Sequence, residues 1–396
     1  MRRSVLFALA LAACHGADAP ATPQAPFRIA VAGGFDDPWA LAFLPGGAML
    51  VTEKSGKLLL RAADGSVRAV AGVPPVDYDG QGGLLDVALS PDFAHDRFVY
   101  LTYAEPGRGG SSLALARARL SDDESRLEGL QAIWRQEPKG HGGQFGAIVV
   151  FSPDGRTLFL SSGERQRFTP AQDPDQAMGK ILRLTPDGKP APGNPQAGRT
   201  GATTVDLIDP PENTGAAKGA QSRRVAIPAP NLTPAETWST GHRNPYGLAF
   251  DAVGRLWETE MGPKGGDELN LIEPGKNYGW PNVSNGSNYD GSDIPDHHPG
   301  DGYEPPKLWW NPSVSPSSLV IYSGSLFPAW KGSGLIGALS GRALIRVTLD
   351  GATAKKAERW NLGRRIRFVA QGPDGAVWLL EDGDSGGRLL RLTPRS

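Results

Sequence analysis

The sequence predicts an all-β protein, a single six-bladed β-propeller built from four-stranded antiparallel blades. Three observations support this prediction: turn-forming residues are abundant, one strand–turn–strand motif recurs six times, and no long amphipathic helix pattern is present. Glycine and proline number 52 and 35 among 396 residues. This excess over ordinary usage indicates many tight turns and stops short of a low-complexity composition.

The recurring motif is an apolar residue, a turn of Pro, Asp or Gly, and then three or four apolar or β-branched residues, which is typical of paired strands. The copies lie at 43–52, 89–101, 151–160, 250–257, 326–338 (the loosest) and 371–380. A spacing of roughly 60 residues suits a four-stranded blade with generous loops, within the usual range of roughly 4–8 blades. The alternative, a pair of β-sandwiches, predicts no such regular repeat.

The third and fourth copies are the farthest apart. Residues 186–236 between them are rich in Pro, Ala, Gly and Thr, and we expect a long insertion loop there, within one propeller that spans 27–396. Because propellers gather loops from every blade around one channel, the site residues should be scattered along the chain.

The N-terminus has the layout of a secretory signal: two arginines, a short apolar run and then small residues that end at Cys14. The run is too short to span a bilayer. Its ending resembles the bacterial lipobox, so we expect a lipoprotein signal at 1–14 and a flexible tether at 15–26. The protein is then expected on the periplasmic side of the bacterial envelope, with membrane contact through a lipid anchor only. The alternative is an ordinary signal peptide that contains a cysteine.

Charge and cysteine content exclude several classes of function. Lys and Arg total 41 against 42 for Asp and Glu, a net charge of −1, so no global field attracts nucleic acid. Cys14 is the only cysteine, which excludes an internal disulfide framework, a four-cysteine zinc site and a CxxC redox pair.

The densest polar cluster is 241–248. There Arg243 offers a planar fork suited to a carboxylate, and Asn244 offers both a donor and an acceptor. The alternative is a turn in which these residues serve geometry only.

A second cluster spans 260–281. Its Gly-Pro and Gly-Gly steps can present carbonyls, and Asp267 and Glu268 add hard oxygen ligands, which together form the donor set that Ca²⁺ takes. No EF-hand spacing is present, and a solvated acidic turn is the alternative.

Two further features carry charge or a titratable ring. Arg365 and Arg367 share one face if 364–367 is a strand, so they bind a polyanion if that face lines the channel and are solvated if the strand is an outer one. The glycine-rich loop 139–146 holds His141, a natural general base near neutral pH. Solvent-exposed positions are expected for His95, His297 and His298.

Three blocks together resemble one family: Gly-His-Arg-Asn-Pro-x-Gly-Leu at 241–248, Gly-Pro-x-Gly-Gly-Asp-Glu-Leu-Asn at 262–270 and Asn-Tyr-Gly-Trp-Pro at 277–281. This combination resembles the soluble pyrroloquinoline-quinone (PQQ) dependent sugar dehydrogenases, the glucose/sorbosone and aldose sugar dehydrogenase family of six-bladed propellers. The resemblance runs from about Pro38 to Leu392 and includes the motifs at 81–84, 179–184 and 365–367.

The resemblance implies that PQQ, a tricarboxylate ortho-quinone, binds at the channel mouth. It implies that an aldose is oxidised at its anomeric carbon to a lactone: a histidine takes the hydroxyl proton, hydride passes to the quinone, and Ca²⁺ polarises the quinone oxygens. The implied partners are the aldose and an external electron acceptor, with the chain acting as a monomer or homodimer.

Site residues follow from the resemblance position by position. The matches to residues at or beside the cofactor are Gln81, Arg243, Asn244, Tyr289, Arg365 and Arg367. The carbonyls of Gly262 and Pro263 match ligands of the Ca²⁺ at the quinone. Glu268 and Tyr278 match a Ca²⁺ site of the aldose-type branch.

Three positions depart from the family pattern. Gln144 stands where the base histidine is expected, and because glutamine is no base, His141 becomes the candidate. Ser340 replaces a cofactor-contacting lysine, for which Arg342 is the candidate substitute, and Phe368 replaces an acid. The leading hypothesis is therefore a PQQ- and Ca²⁺-dependent aldose dehydrogenase with His141 as base. The alternatives are a propeller that binds PQQ or sugar without turnover, a propeller lactonase, and an interaction scaffold.

Overall fold

The computed structural model describes residues 25–395 and confirms the predicted six-bladed propeller, with six four-stranded antiparallel sheets arranged in a ring. The predicted signal at 1–14, Cys14 and the tether residues 15–24 lie outside the described residues. Within 25–395, no helix has the length and apolar character needed to cross a membrane.

The blades follow one another along the chain, each running outward from its first strand. After β1 (Phe27–Gly34), blade 1 holds β2 (Pro38–Phe43), β3 (Met49–Glu53), β4 (Lys57–Arg61) and β5 (Val67–Val70). Blade 2 holds β6 (Leu84–Leu89), β7 (Phe98–Gly107), β8 (Gly110–Leu120) and β9 (Leu127–Arg135). Blade 3 begins with β10 (Gly146–Phe151), β11 (Leu158–Ser162) and β12 (Lys180–Leu184); after the ribbon β13 (Thr204–Ile208) and β14 (Ser222–Ala226), it ends with β15 (Thr237–Thr240).

The second half of the chain repeats this arrangement. Blade 4 holds β16 (Pro245–Phe250), β17 (Leu256–Glu260), β19 (Asp267–Ile272) and β21 (Leu308–Trp310), with a small pair formed by β18 (Lys264–Gly265) and β20 (Gly286–Ser287). Blade 5 holds β22 (Pro316–Ile321), β23 (Gly334–Ala338), β24 (Ala343–Asp350) and β25 (Thr353–Asn361). Blade 6 holds β26 (Ile366–Gln371), β27 (Val377–Glu381), β28 (Arg388–Pro394) and β1.

Helices are confined to single turns between strands. The α-helical turns are α1 (Phe93–Asp96), α2 (Thr214–Ala217) and α3 (Thr233–Glu236), and the 3₁₀ turns span Thr169–Gln172, Pro328–Trp330 and Gly383–Ser385.

Each copy of the sequence motif joins the first strand of a blade to the second; the copy at 43–52, for example, connects β2 to β3. The first strands contact one another around the ring. The second strands beside them are more fully buried, since every residue of β3, β11, β17, β23 and β27 is buried. The motif turns lie at the far ends of these strands. The loops that lead into the first strands therefore share the opposite end of the propeller.

The start of the chain closes the ring. β1 pairs antiparallel with β28, with Ile29 opposite Leu392, and supplies the fourth strand of blade 6. Phe27 anchors this strand, because its ring packs edge-on against Trp330 and Trp360 with centroids 6.0 and 5.3 Å away. Closure thus rests on strand pairing and aromatic packing rather than on a covalent link.

The stretch expected as an insertion loop, 186–236, lies between β12 and β15 but is not all loop. It contains the antiparallel ribbon of β13 and β14, whose alternation buries Val205 and Leu207. The alternating Thr-Val-Asp-Leu-Ile sequence explains the ribbon, since period-two patterns favour half-buried strands.

The expectation of an exposed His297 is wrong. Its side chain is 4% exposed, with Nδ1 3.4 Å from Oδ2 of Asp301. The bare backbone of Gly279 makes room for the ring, because a Cβ there would lie 3.2 Å from Cε1 of His297. His95 and His298 are exposed, as expected.

Candidate active site

The loops that enter the first strands place one group of residues at the same end of the channel. Every blade contributes: Asp37, Gln81, Gln144, Arg243, Ser315 and Arg365 each lie one to three residues before a first strand. Two adjoining cavities open here, of about 260 and 330 Å³. The site is therefore built from all six blades.

The first cavity, here called the arginine cavity, is lined by the cationic side chains of Lys54, Arg365 and Arg367 and by the carboxylates of Asp37, Asp382 and Asp384. Asp382 binds both arginines. Nε of Arg365 lies 2.7 Å from one oxygen of Asp382, and Nη2 of Arg367 lies 2.7 Å from the other. Burial opposes ionisation of Asp382, but Arg367 and Arg365 outweigh it and keep the pKa of this carboxyl below its ordinary value. Two guanidinium groups therefore hold the two oxygens of one carboxylate.

Sequence reasoning identified the two arginines but missed Asp382. Asp382, which directly follows β27, the strand paired with β26, is the carboxylate partner of both arginines. This partner is reached only through strand pairing, so no local sequence signal marks it.

The cation expected near Ser340 comes from elsewhere. The Ser340 hydroxyl lies 2.7 Å from Oγ of Ser315, and Arg342 is exposed and outside the lining of the arginine cavity. Lys54 from blade 1 lines the cavity instead, 3.2 Å from Asp37.

Arg243 is buried beside this cavity and holds several groups together. Its Nη1 donates to the carbonyls of Met261 and Gly262, each at 2.9 Å, and its Nη2 donates to the hydroxyl of Tyr289 at 3.2 Å. Its Nε has no hydrogen-bond partner among the described residues. Arg243 therefore presents a buried cation with donor capacity left over.

Asn244 and Gln81 tie neighbouring blades together at the site. Oδ1 of Asn244 accepts from the backbone N–H of Gly146 at 3.2 Å, which joins blades 4 and 3. Oε1 of Gln81 accepts from the backbone N–H of Gln144 at 2.8 Å, and Gln81 lines both cavities.

Gln144, at the expected base position, lies within the site. Its amide orientation is assigned from its neighbours: with Oε1 turned toward Arg243, 2.8 Å from Nη2, its Nε2 donates to the carboxylate of Glu164. Burial raises the pKa of Glu164, while Arg243 opposes the rise. Glu164 was not singled out from the sequence.

His141 lies apart from Arg243. Its side chain is exposed and lines the second cavity, and its backbone carbonyl accepts from Nη2 of Arg167 at 2.5 Å. The predicted base thus lines the second cavity, whereas Arg365 and Arg367 line the first, and Gln81 lines both.

Backbone strain is concentrated here. Seven residues other than glycine with positive φ lie in the segments that build the site: Asp37, Gln144, Ala147, Arg165, Gln166, Phe168 and Ser315. Such conformations are costly for residues with a Cβ and cluster at functional sites. The strain agrees with the location inferred from the cavities.

The candidate metal ligands surround a small cavity next to Arg243, lined by Gly262, Glu268 and Tyr278. Pro263 is buried beside Gly262. The Tyr278 hydroxyl donates its proton to the carbonyl of Leu271 at 2.5 Å and therefore does not donate a hydrogen bond to Glu268.

Three buried carboxylates converge behind this cavity. Nδ2 of Asn270 lies 3.1, 3.2 and 3.1 Å from oxygens of Glu258, Glu260 and Glu268, although an amide group has only two hydrogens. Burial and the charge of Glu260 raise the pKa of Glu258 and Glu268 well above the ordinary value. Nδ1 of His242 lies 3.1 Å from Glu260. This oxygen-rich set is suited to a hard cation.

Comparison with known proteins assigns this propeller to the sugar dehydrogenases. The sequence model of the glucose/sorbosone dehydrogenase family matches residues 35–205 and 227–391, so the chain belongs to that family.

Its relatives agree with this assignment. Aldose sugar dehydrogenase YliI of Escherichia coli is 38% identical over 371 residues, 91% of each chain. A crystal structure of a glucose dehydrogenase superposes with a TM-score of 0.81 at 42% identity, over 93% of this chain and 100% of that one. The structure of the PQQ-bound aldose sugar dehydrogenase of Streptomyces coelicolor superposes with a TM-score of 0.70 at 30% identity, over 94% of this chain and 100% of that one.

Proposed function

We propose that this protein oxidises an aldose at the anomeric carbon to the lactone, using PQQ and Ca²⁺, and passes the electrons to an external acceptor. The observation that carries the proposal is the pair Arg365 and Arg367, held on the single carboxylate of Asp382 in a cavity at the channel mouth. A paired guanidinium wall suits a ligand that bears several carboxylates.

The residues present fit the quinone. The guanidinium groups of Arg365 and Arg367 and the ammonium group of Lys54 line one cavity, and the Nε of Arg243 has no hydrogen-bond partner among the described residues. Such donors favour an anion with several hydrogen-bond acceptors. The binding of PQQ in the Streptomyces relative supports the same assignment.

The residues present also fit a calcium ion. Oxygen donors line the small cavity next to Arg243: the carboxylates of Glu260 and Glu268 and the backbone of Gly262. Carboxylate and carbonyl oxygens are the ligands that Ca²⁺ takes.

The chemistry divides between the cofactors and the chain. When bound, PQQ supplies a two-electron acceptor and Ca²⁺ a Lewis acid. Oxidation at C1 removes a hydride from carbon and a proton from the hydroxyl. His141, which lines the second cavity, holds that proton, whereas the amide of Gln144 offers only hydrogen bonds.

Reconstitution tests the proposal. The purified protein is loaded with PQQ and Ca²⁺ and assayed with a panel of aldoses and an artificial electron acceptor. We expect dye reduction that requires aldose, PQQ and Ca²⁺ together. Retention of PQQ with no turnover on any aldose would instead favour the binding-only alternative.

The location is a separate proposal. We propose that Cys14 carries a lipid that anchors the propeller on the periplasmic side of the envelope. A C14S variant should leave the membrane fraction; a variant that stays there as the parent does would contradict the anchor.

A further inference from the structure

The second cavity, here called the acidic cavity, is lined by two carboxylates, whereas the arginine cavity is lined by three cationic and three acidic side chains. It holds about 330 Å³ and is lined by Asp77, Asp79, Ser111, His141 and Gln166, with Gln81 at the boundary. No lysine or arginine is among its lining residues. The two adjoining cavities thus differ in the charge that they present.

A short ridge separates the cavities. Residues 77–81 follow the first blade, with Asp77 and Asp79 on the acidic side and Gln81 on both sides. The ridge is fastened at both ends, because the Asp77 N–H donates to the carbonyl of Ala104 at 2.9 Å and Oε1 of Gln81 accepts from the Gln144 N–H at 2.8 Å. A group bound against Gln81 from the acidic side would face the arginine cavity.

The floor of the acidic cavity is preformed. Oε1 of Gln166 accepts from the Gly143 N–H at 2.8 Å, and the buried Arg165 donates to the carbonyls of Ser111 and Gly142 at 2.9 and 2.6 Å. The guanidinium of Arg165 also lies 3.9 Å from the ring centre of Phe145. The Arg165 donors are therefore used by backbone carbonyls beneath the cavity. The charged side chains that line the cavity are the carboxylates of Asp77 and Asp79.

We propose that the acidic cavity is the aldose subsite and that it selects its substrate by charge, accepting neutral and amino aldoses and rejecting aldoses that carry a carboxylate. This inference rests on the proposed function. Carboxylates accept hydrogen bonds from sugar hydroxyls and attract an ammonium group, whereas a second carboxylate is repelled. His141 lines the same cavity, so the proton acceptor and the anomeric hydroxyl meet there.

Kinetic discrimination tests the inference. The PQQ- and Ca²⁺-loaded protein is compared on glucose, glucosamine and glucuronate, as the parent, as D79N and as D77N/D79N. We expect glucuronate to be poorest in the parent by about 10-fold or more in kcat/KM. In D77N/D79N, the ratio of kcat/KM for glucosamine to kcat/KM for glucuronate should fall by about 10-fold, mainly through changes in KM.

A matched control separates local from general charge effects. D154N removes an exposed carboxylate from the β10–β11 turn at the far end of blade 3 and should leave the ratio unchanged. An unchanged ratio in D77N/D79N, or equal use of glucose and glucuronate by the parent, would overturn the subsite. D79N changes an exposed side chain, so a folding defect in the double variant still leaves one informative protein.

Binding without the cofactor distinguishes the two proposals. Calorimetry on cofactor-free protein should show glucosamine bound more tightly than glucuronate, with the difference reduced in D79N. If no aldose is oxidised but this order holds, the proposed function fails and the subsite stands. If aldoses are oxidised without charge preference, the subsite fails and the function stands.

Discussion

The side-chain amide of Gln144 lies between the guanidinium of Arg243 and the buried carboxylate of Glu164, and these neighbours assign its oxygen to the side of Arg243, 2.8 Å from Nη2. The amide therefore has one orientation, because its donor faces an acid and its acceptor faces a cation. A histidine at this position would titrate, whereas Gln144 keeps one charge state and orients Arg243.

Replacing Gln144 with alanine removes this link. Hydrogen bonds to charged groups contribute about 1.5–3 kcal/mol, so we expect kcat/KM of the reconstituted enzyme to fall by roughly 10- to 150-fold. Steady-state dye reduction measures the change, and Q131A, on the exposed edge of β9, is the control. Activity of Q144A equal to that of Q131A would contradict the orienting role.

A double-variant cycle identifies Glu164 as the partner. If Glu164 acts by holding the Gln144 amide, E164A and Q144A should not be additive, and E164A should add little in the Q144A background. Fully additive losses in kcat/KM would show that the two side chains act independently.

His141→Ala tests the proton acceptor. Loss of a general base removes roughly 10²–10⁴-fold in rate, and we expect this loss in kcat while PQQ is still retained. H95A, on the exposed helical turn α1, is the matched control. Sugar-dependent dye reduction by H141A at the parent rate would remove His141 from the mechanism.

Arg367→Met tests the cofactor wall. The substitution keeps much of the side-chain length but removes the charge that is paired with Asp382. The affinity for PQQ, measured by quenching of tryptophan fluorescence, should fall by about 10-fold or more. R364M changes an exposed neighbouring arginine and should bind PQQ as the parent does; equal losses in both variants would exclude a specific contact.

Glu236 should make stability depend on pH. Burial raises the pKa of this carboxyl from 4.5 to about 7, against the opposing hydrogen bond from Trp134 and the charge of Lys189. The folded state then binds more protons than the unfolded state between these values, so the free energy of unfolding falls as pH rises through that window.

Glu236→Gln removes this dependence and keeps an acceptor for the Trp134 N–H, which lies 2.9 Å from the carboxylate. The difference in free energy of unfolding between E236Q and the parent should shift in favour of E236Q by up to about 3 kcal/mol as the pH is raised from 4.5 to above 7. Urea unfolding at both pH values measures the gain. E212Q, exposed in the same insertion, should show none; a constant difference between E236Q and the parent would contradict the raised pKa.

The fold was predictable because its signal is local. Each motif copy specifies one tight turn between two strands, and six copies define six blades. The closure by β1 and β28 was not predicted, because the two strands are separated by almost the whole chain and the sequence of neither strand identifies its pairing partner.

The site was predictable only where its residues lie in compact motifs. Arg243 and the arginine pair stand in such motifs, whereas Asp382, Lys54 and Glu164 reach the site through strand pairing and loop packing. His297 was misjudged because its burial depends on the space above Gly279, a relationship that the sequence does not display.

The most direct test of the central claim is a single turnover without an external acceptor. The protein loaded with PQQ and Ca²⁺ is mixed anaerobically with an excess of aldose while the absorption of the bound quinone is followed. We predict that one equivalent of PQQ per chain is reduced and that an equal amount of lactone forms. Bound PQQ whose spectrum does not change with any aldose would contradict sugar oxidation by this propeller.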